Sequence, residues 1–85
     1  MYDIDWKPKA IKQLNKIGDK ADRVAIRDAV GDLAYFPECS GVKRLRNHCY
    51  GYRLRTGRYR IMFDVNEMIK IIDIQEVKKR DESTY

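Results

Sequence analysis

The sequence predicts an α+β domain in which an N-terminal strand and an antiparallel helical hairpin pack on a mainly antiparallel sheet, in the order β-α-α-β-β-β-β. Three observations predict it. Apolar residues recur at helical spacing between Pro8 and Pro37, and at a spacing of two on either side of that stretch. The two helical segments are joined by almost nothing, so they fold back on each other. Turn signals at Thr56-Gly57 and Asn66-Glu67 separate strand-like runs. At 85 residues the chain is expected to form one domain, residues 1–85, with a thin core.

Tyr2, Ile4 and Trp6 alternate with Asp3 and Asp5, the pattern of a short strand with one buried face. Pro8 suits the first turn of a helix, in which Ala10, Ile11, Leu14 and Ile17 form the apolar stripe and Gly18 is the stop. Asp19 can cap a second helix. Its expected stripe is Val24, Ala25, Ala29, Val30, Leu33 and Phe36, ended by Pro37. Residues 42–48 are a possible strand. In residues 50–55, Tyr50, Tyr52 and Leu54 alternate with arginines, and in residues 58–65, Tyr59, Ile61, Phe63 and Val65 do the same. Residues 68–77 are nearly continuous in apolar side chains, as in a central strand buried on both faces. The remaining tail is polar.

Hydrophobic residues at 44% and charged residues at 36% suit a folded soluble domain rather than a disordered chain. The net charge of +5 is unevenly spread. Residues 1–38 carry seven basic and seven acidic residues, and residues 64–85 carry four and six. Residues 39–63 carry seven basic residues (Lys43, Arg44, Arg46, Arg53, Arg55, Arg58 and Arg60) and no acidic one. An unopposed block of this kind attracts phosphates, acidic proteins or anionic membranes.

If Thr56-Gly57 is a two-residue turn, Arg55 faces Arg58 and Arg53 faces Arg60. All four then share the sheet face opposite Tyr52, Leu54, Tyr59 and Ile61. Like charges facing each other across a sheet are destabilising, so a polyanion is the natural complement. The planar guanidinium fork matches phosphate better than the point charge of lysine. The bland alternative pairs these arginines with Asp64, Asp73 or the tail acids. Tyr50, Tyr52 and Tyr59 read as core. Tyr85 ends a polar tail after Lys78-Lys79-Arg80, and an exposed tyrosine beside cations suits stacking on an unpaired base. Cys39 and Cys49 match no zinc-ligand or redox spacing. Two free thiols in a reduced cytoplasmic setting are expected, with no signal peptide, no membrane contact and no metal or other cofactor.

The run Tyr50-Gly51-Tyr52-Arg53-Leu54-Arg55, followed by Gly57-Arg58-Tyr59-Arg60-Ile61-Met62-Phe63, resembles the signature hairpin of the RelE/ParE superfamily of bacterial toxin–antitoxin toxins. Val42-Lys43-Arg44-Leu45 resembles the strand that leads into it. Val77-Lys78-Lys79-Arg80-Asp81 with Tyr85 resembles the family's terminal basic-plus-tyrosine motif. The element order agrees over the whole chain. RelE-like members are metal-independent endoribonucleases that cut messenger RNA, generally in the ribosomal A site, by attack of the ribose 2′-hydroxyl on the adjacent phosphate. ParE-like members poison DNA gyrase.

The resemblance therefore implies an mRNA interferase that inhibits translation, partnered by a cognate antitoxin, messenger RNA and the ribosome. Arg60 matches the arginine that stabilises the transition state, and Arg53 a basic position on the neighbouring strand. Lys79 or Arg80 matches a cation near the leaving oxygen, and Tyr85 the tyrosine that orients the nucleotide. Arg55, Arg58, Lys43, Arg44, Arg46 and Lys78 are then expected RNA contacts. Gly51 stands where relatives can carry a lysine, and arginine, with a pKa above about 12, is a poor general base. His48 is one candidate base, since imidazole can take up and release a proton near neutral pH, and a turn cap is its other reading. A gyrase inhibitor and a non-catalytic RNA-binding module remain the alternatives.

Overall fold

The structure, a computed structural model, describes residues 1–80. Strand β1 (Asp3–Trp6) leads into helix α1 (Pro8–Asn15), helix α2 (Lys20–Gly31) and a 3₁₀ turn (Asp32–Tyr35). Strands β2 (Val42–Arg44), β3 (Tyr52–Thr56), β4 (Tyr59–Asn66) and β5 (Ile71–Lys79) follow. The sheet runs β1-β5-β4-β3-β2, with β1 parallel to β5 and every other pairing antiparallel. The expected element order and fold class are thus those observed.

Local chemistry accounts for the helix ends. Pro8 opens α1, where its missing N–H costs nothing. The Asp19 carboxylate accepts the Ala21 N–H at 2.9 Å and caps α2. Both helices bury one stripe against one face of the sheet. Ala10, Leu14, Ile26, Val30 and Leu33 meet Leu54, Ile61, Phe63, Ile72, Ile74 and Val77. Phe36 closes one end of this core, edge-on to Tyr2, Tyr52 and Phe63.

Several details differ from the sequence expectation, among them Ile11, expected in the α1 stripe but exposed. The α2 stripe is Ile26, Val30 and Leu33, while Val24 and Ala25 face outward, so the apolar phase lies two residues along from the expected start. The helix gives way to the 3₁₀ turn after Gly31 instead of continuing to Phe36. Strand β2 stops at Arg44, because Asn47 takes a left-handed conformation (φ 52°) and the Leu45 N–H donates to the Gly51 carbonyl, closing a loop. Tyr50 lies in that loop, outside the alternation it was expected to begin. Met68 and Ile69 belong to a four-residue turn and are 93% and 62% exposed. There the Asn66 side chain accepts both their N–H groups.

Strand β5 contains the irregularity that shapes the other face. Met62 pairs with Glu76 but Phe63 pairs with Ile74, so Gln75 is an extra residue in β5. Ile72 and Ile74 point to the helices before this bulge, and Val77, three residues on, points there after it. Without the bulge a strict alternation would bury Glu76 and Lys78 among apolar side chains. With it, both reach the face the helices leave open.

Candidate nucleic-acid interface

The open face is built from transverse rows of directly paired residues. Arg55 pairs with Arg60, and Arg60 pairs with Lys78, which gives a row of three cations across β3, β4 and β5. The next row is Lys43, Arg53, Met62 and Glu76. The row beyond it is Asp64, Asp73 and Asp5. Adjacent strands lie about 4.8 Å apart, so each row is a line of near neighbours. The sheet face is therefore basic at one end and acidic at the other.

This register corrects the expected hairpin. The turn is Gly57-Arg58, with Gly57 at φ 55°, rather than Thr56-Gly57. Arg55 faces Arg60 instead of Arg58, and Arg53 faces Met62. Because the slip is an even number of residues, Arg53, Arg55 and Arg60 still share one face. Arg58 leaves the cluster. Its guanidinium lies 3.9 Å from Asp22 on α2, whose carboxylate also accepts the Tyr59 hydroxyl at 3.4 Å. Burial and the Asp22 carboxylate raise the Tyr59 pKa, so this phenol stays protonated as a donor.

The acids do not neutralise the arginines. Asp64 accepts the Gly51 N–H at 2.7 Å and the Gln75 side chain at 3.2 Å. Asp73 and Asp5 lie 3.5 and 2.9 Å from Lys7. Glu76 lies 3.3 Å from Lys78 and 3.5 Å from Lys9. Among the described residues, Arg53, Arg55 and Arg60 have no ion pair, and the buried Nε of Arg60 has no hydrogen-bond partner. Burial, then Arg55, Arg60 and Arg80, press the Arg53 pKa down. Guanidinium stays charged even so, and the same repulsion makes the site a strong attractor of an anion.

The tail cations divide between the two faces. Lys79 pairs with Tyr59 and so lies on the helix side, away from the cluster. This corrects the expectation that Lys79 could serve beside Arg60. Arg80 follows Lys78 in alternation, is close enough to depress Arg53, and donates its N–H to the Arg58 carbonyl. Lys43 stands beside Arg53 on the open face. Arg44 pairs with Tyr52 and belongs to the other face by register, while Arg46 is exposed on the loop after β2. His48 accepts the Tyr50 N–H at Nδ1, 3.1 Å away, which is a turn cap. Tyr85 lies outside the described residues.

Sequence reasoning missed Met62 and Glu76. Met62 is 5% and Glu76 8% exposed, an apolar floor and a buried carboxylate between the cationic and acidic rows. The bulge at Gln75 hid the pairing of Glu76, since no residue type there announces it.

The model of the family described as "ParE toxin of type II toxin-antitoxin system, parDE" matches residues 4–83. The chain belongs to this family of toxins, within the RelE/ParE superfamily. Among solved structures, the toxin–antitoxin complex RelBE2 from Mycobacterium tuberculosis is similar at 25% identity and a TM-score of 0.80, over 93% of this chain and 98% of that one. The archaeal RelE–RelB complex from Pyrococcus horikoshii OT3 is similar at 28% identity and 0.78, over 96% and 98%. The isolated E. coli RelE toxin shares the fold at 20% identity and 0.79, over 99% and 89%. No curated protein matches the chain. Among the described residues no helix is long and apolar enough to cross a membrane.

Proposed function

We propose that this toxin is an endoribonuclease that cuts messenger RNA at the ribosome without a metal ion, by attack of a ribose 2′-hydroxyl on the adjacent phosphate. One observation carries the reading. The Arg55–Arg60–Lys78 row, with Arg53 behind it, gathers cations that no carboxylate of the described chain neutralises, apart from the Glu76 contact to Lys78. In the reaction the 2′-oxygen bonds to phosphorus and its proton leaves to a base. The 5′-oxygen bond breaks, the leaving oxygen takes a proton, and a 2′,3′-cyclic phosphate forms. Extra negative charge develops on the phosphate oxygens, which is where preorganised guanidinium groups act most strongly. Arg60 has the role of that contact, its unpartnered Nε supplying a donor already desolvated. Arg53, Arg55 and Lys43 hold flanking phosphates, and Arg80 stands near the leaving oxygen. Tyr85 orients the nucleotide by stacking.

A cognate antitoxin belongs to this reading. The related M. tuberculosis and P. horikoshii proteins occur as complexes with RelB partners. For this chain the partner is one that covers the basic rows with acidic side chains. Co-expression from the native operon and copurification test it.

The family match to ParE toxins favours a second reading, inhibition of DNA gyrase through the same surface. The two part on chemistry. The nuclease reading expects RNA fragments ending in 2′,3′-cyclic phosphate, and no cut where a single 2′-deoxynucleotide replaces the nucleotide at the cleavage point. Intact RNA together with blocked supercoiling by gyrase would overturn it in favour of the second.

A further inference from the structure

Lys79 points away from the arginine cluster and lines a separate groove. Strand β1 ends at Trp6, so β5 beyond Ile74 has no strand on that side. The Val77 N–H is taken instead by the Gln13 side-chain oxygen at 2.7 Å. Beside this edge is a groove of about 400 Å³ lined by Gln13, Lys16, Ile17, Tyr59, Val77 and Lys79. Because an N–H donor faces the Gln13 oxygen, the Gln13 NH₂ group is left as a donor. Arg23 donates to the Ile17 carbonyl, just beyond Lys16, the capping residue of α1. Neither Lys16 nor Lys79 has an ion pair among the described residues. Of the acids on this side, Asp22 is occupied by Tyr59 and Arg58, and Asp19, next to the lining residue Gly18, accepts the Ala21 N–H.

We infer that this groove is a second phosphate subsite, in which Lys16, Lys79 and the Gln13 amide bind the RNA backbone after it leaves the arginine rows. Lys78 stands directly across from Arg60 on the open face, and Lys79, the next residue, opens into the groove. The end of β5 thus carries cations on both faces of an uncovered edge, and a single strand that crosses that edge passes from one to the other. The subsite lengthens the stretch of RNA held without touching the scissile phosphate. This inference rests on RNA being the substrate.

The test uses 2′-O-methyl RNA, which cannot be cut. One oligonucleotide is just long enough to cover the arginine rows, and a second is extended at both ends. Affinity is followed by fluorescence anisotropy across a salt series for the wild type, Lys16→Gln, the double variant Lys16→Gln/Lys79→Gln, and Lys70→Gln. Lys70 is a control at the opposite end of the sheet. For the long RNA, the slope of log affinity against log salt should fall by about 0.7 for the single variant and about 1.4 for the double. The short RNA and the control should match wild type. Wild-type slopes for the long RNA in both lysine variants would overturn the subsite, as would equal slopes for short and long RNA on the wild type. If the wild type binds neither RNA, the RNA reading itself fails and takes the inference with it. Lys16 is exposed, so the single variant keeps the test open should the double variant not fold.

Discussion

The two faces of one sheet are made by opposite rules. On the helix side, Ile61, Phe63, Ile72 and Ile74 are fully buried in one core with Ala10 and Leu14 of the first helix and Ile26 and Val30 of the second. On the open side, Arg55, Arg60 and Lys78 stand in line, although like charges across a strand pair cost stability. The first face is explained by folding alone. The second is not, and its arrangement makes sense when a polyanion supplies the missing charge. The lesson is that the alternation in β3 and β4 encodes the fold in one set of residues and, on the proposed reading, the function in the interleaved set.

The comparison can be broken at its strongest point by crossing the two faces. Phe63→Ala, on the helix side, should cost about 3–5 kcal/mol of stability, enough to threaten folding of so small a core. Chemical denaturation measures it. Arg60→Ala, three residues earlier in β4 and on the other face, should leave stability within about 0.5 kcal/mol of wild type or raise it. Its cleavage rate should nevertheless fall by about 10²–10³-fold, the usual cost of one transition-state contact. A destabilised Arg60→Ala with intact cleavage would make the open face structural.

Tyr85 sharpens the same contrast. If it stacks on a base, Tyr85→Phe keeps most single-turnover activity and Tyr85→Ala loses about 1–3 kcal/mol of binding. Equal loss in both would assign the work to the hydroxyl, and no loss in either would remove the tail from the site. The smallest effect is expected in the acidic row. Asp73→Asn should change stability by no more than about 0.5 kcal/mol and leave cleavage unchanged, since Asp73 meets only Lys7 among the described cations. A marked change in cleavage would mean that the acidic end also handles RNA.

Much of this was legible in the sequence, for reasons that can be named. The strand-helix-helix-strand order followed from Pro8, Asp19 and the change of period after Pro37, each a local signal with a local cause. The arginine face survived an error in the turn, because a slip of two residues preserves parity where a slip of one would have destroyed it. What stayed hidden depended on partners distant in sequence. The bulge at Gln75 arises because Ile74 and Val77 must both reach the helices, and it alone decides which of Lys78 and Lys79 joins Arg60. The phase of α2 around Ile26 is likewise set by the sheet beneath it, since Val24 and Ala25 would have served an isolated amphipathic helix equally well. Arg58 is drawn from the cluster by Asp22, 36 residues away in the chain, which no short-range pattern announces.

The most direct measurement of the central claim is primer extension on one messenger RNA, translated and untranslated, incubated with the purified toxin, with Arg60→Ala alongside. The account predicts new 5′ ends within the translated message for the wild type and none for the variant. Unbroken message with the wild-type protein, while the same preparation blocks supercoiling by DNA gyrase, would contradict it.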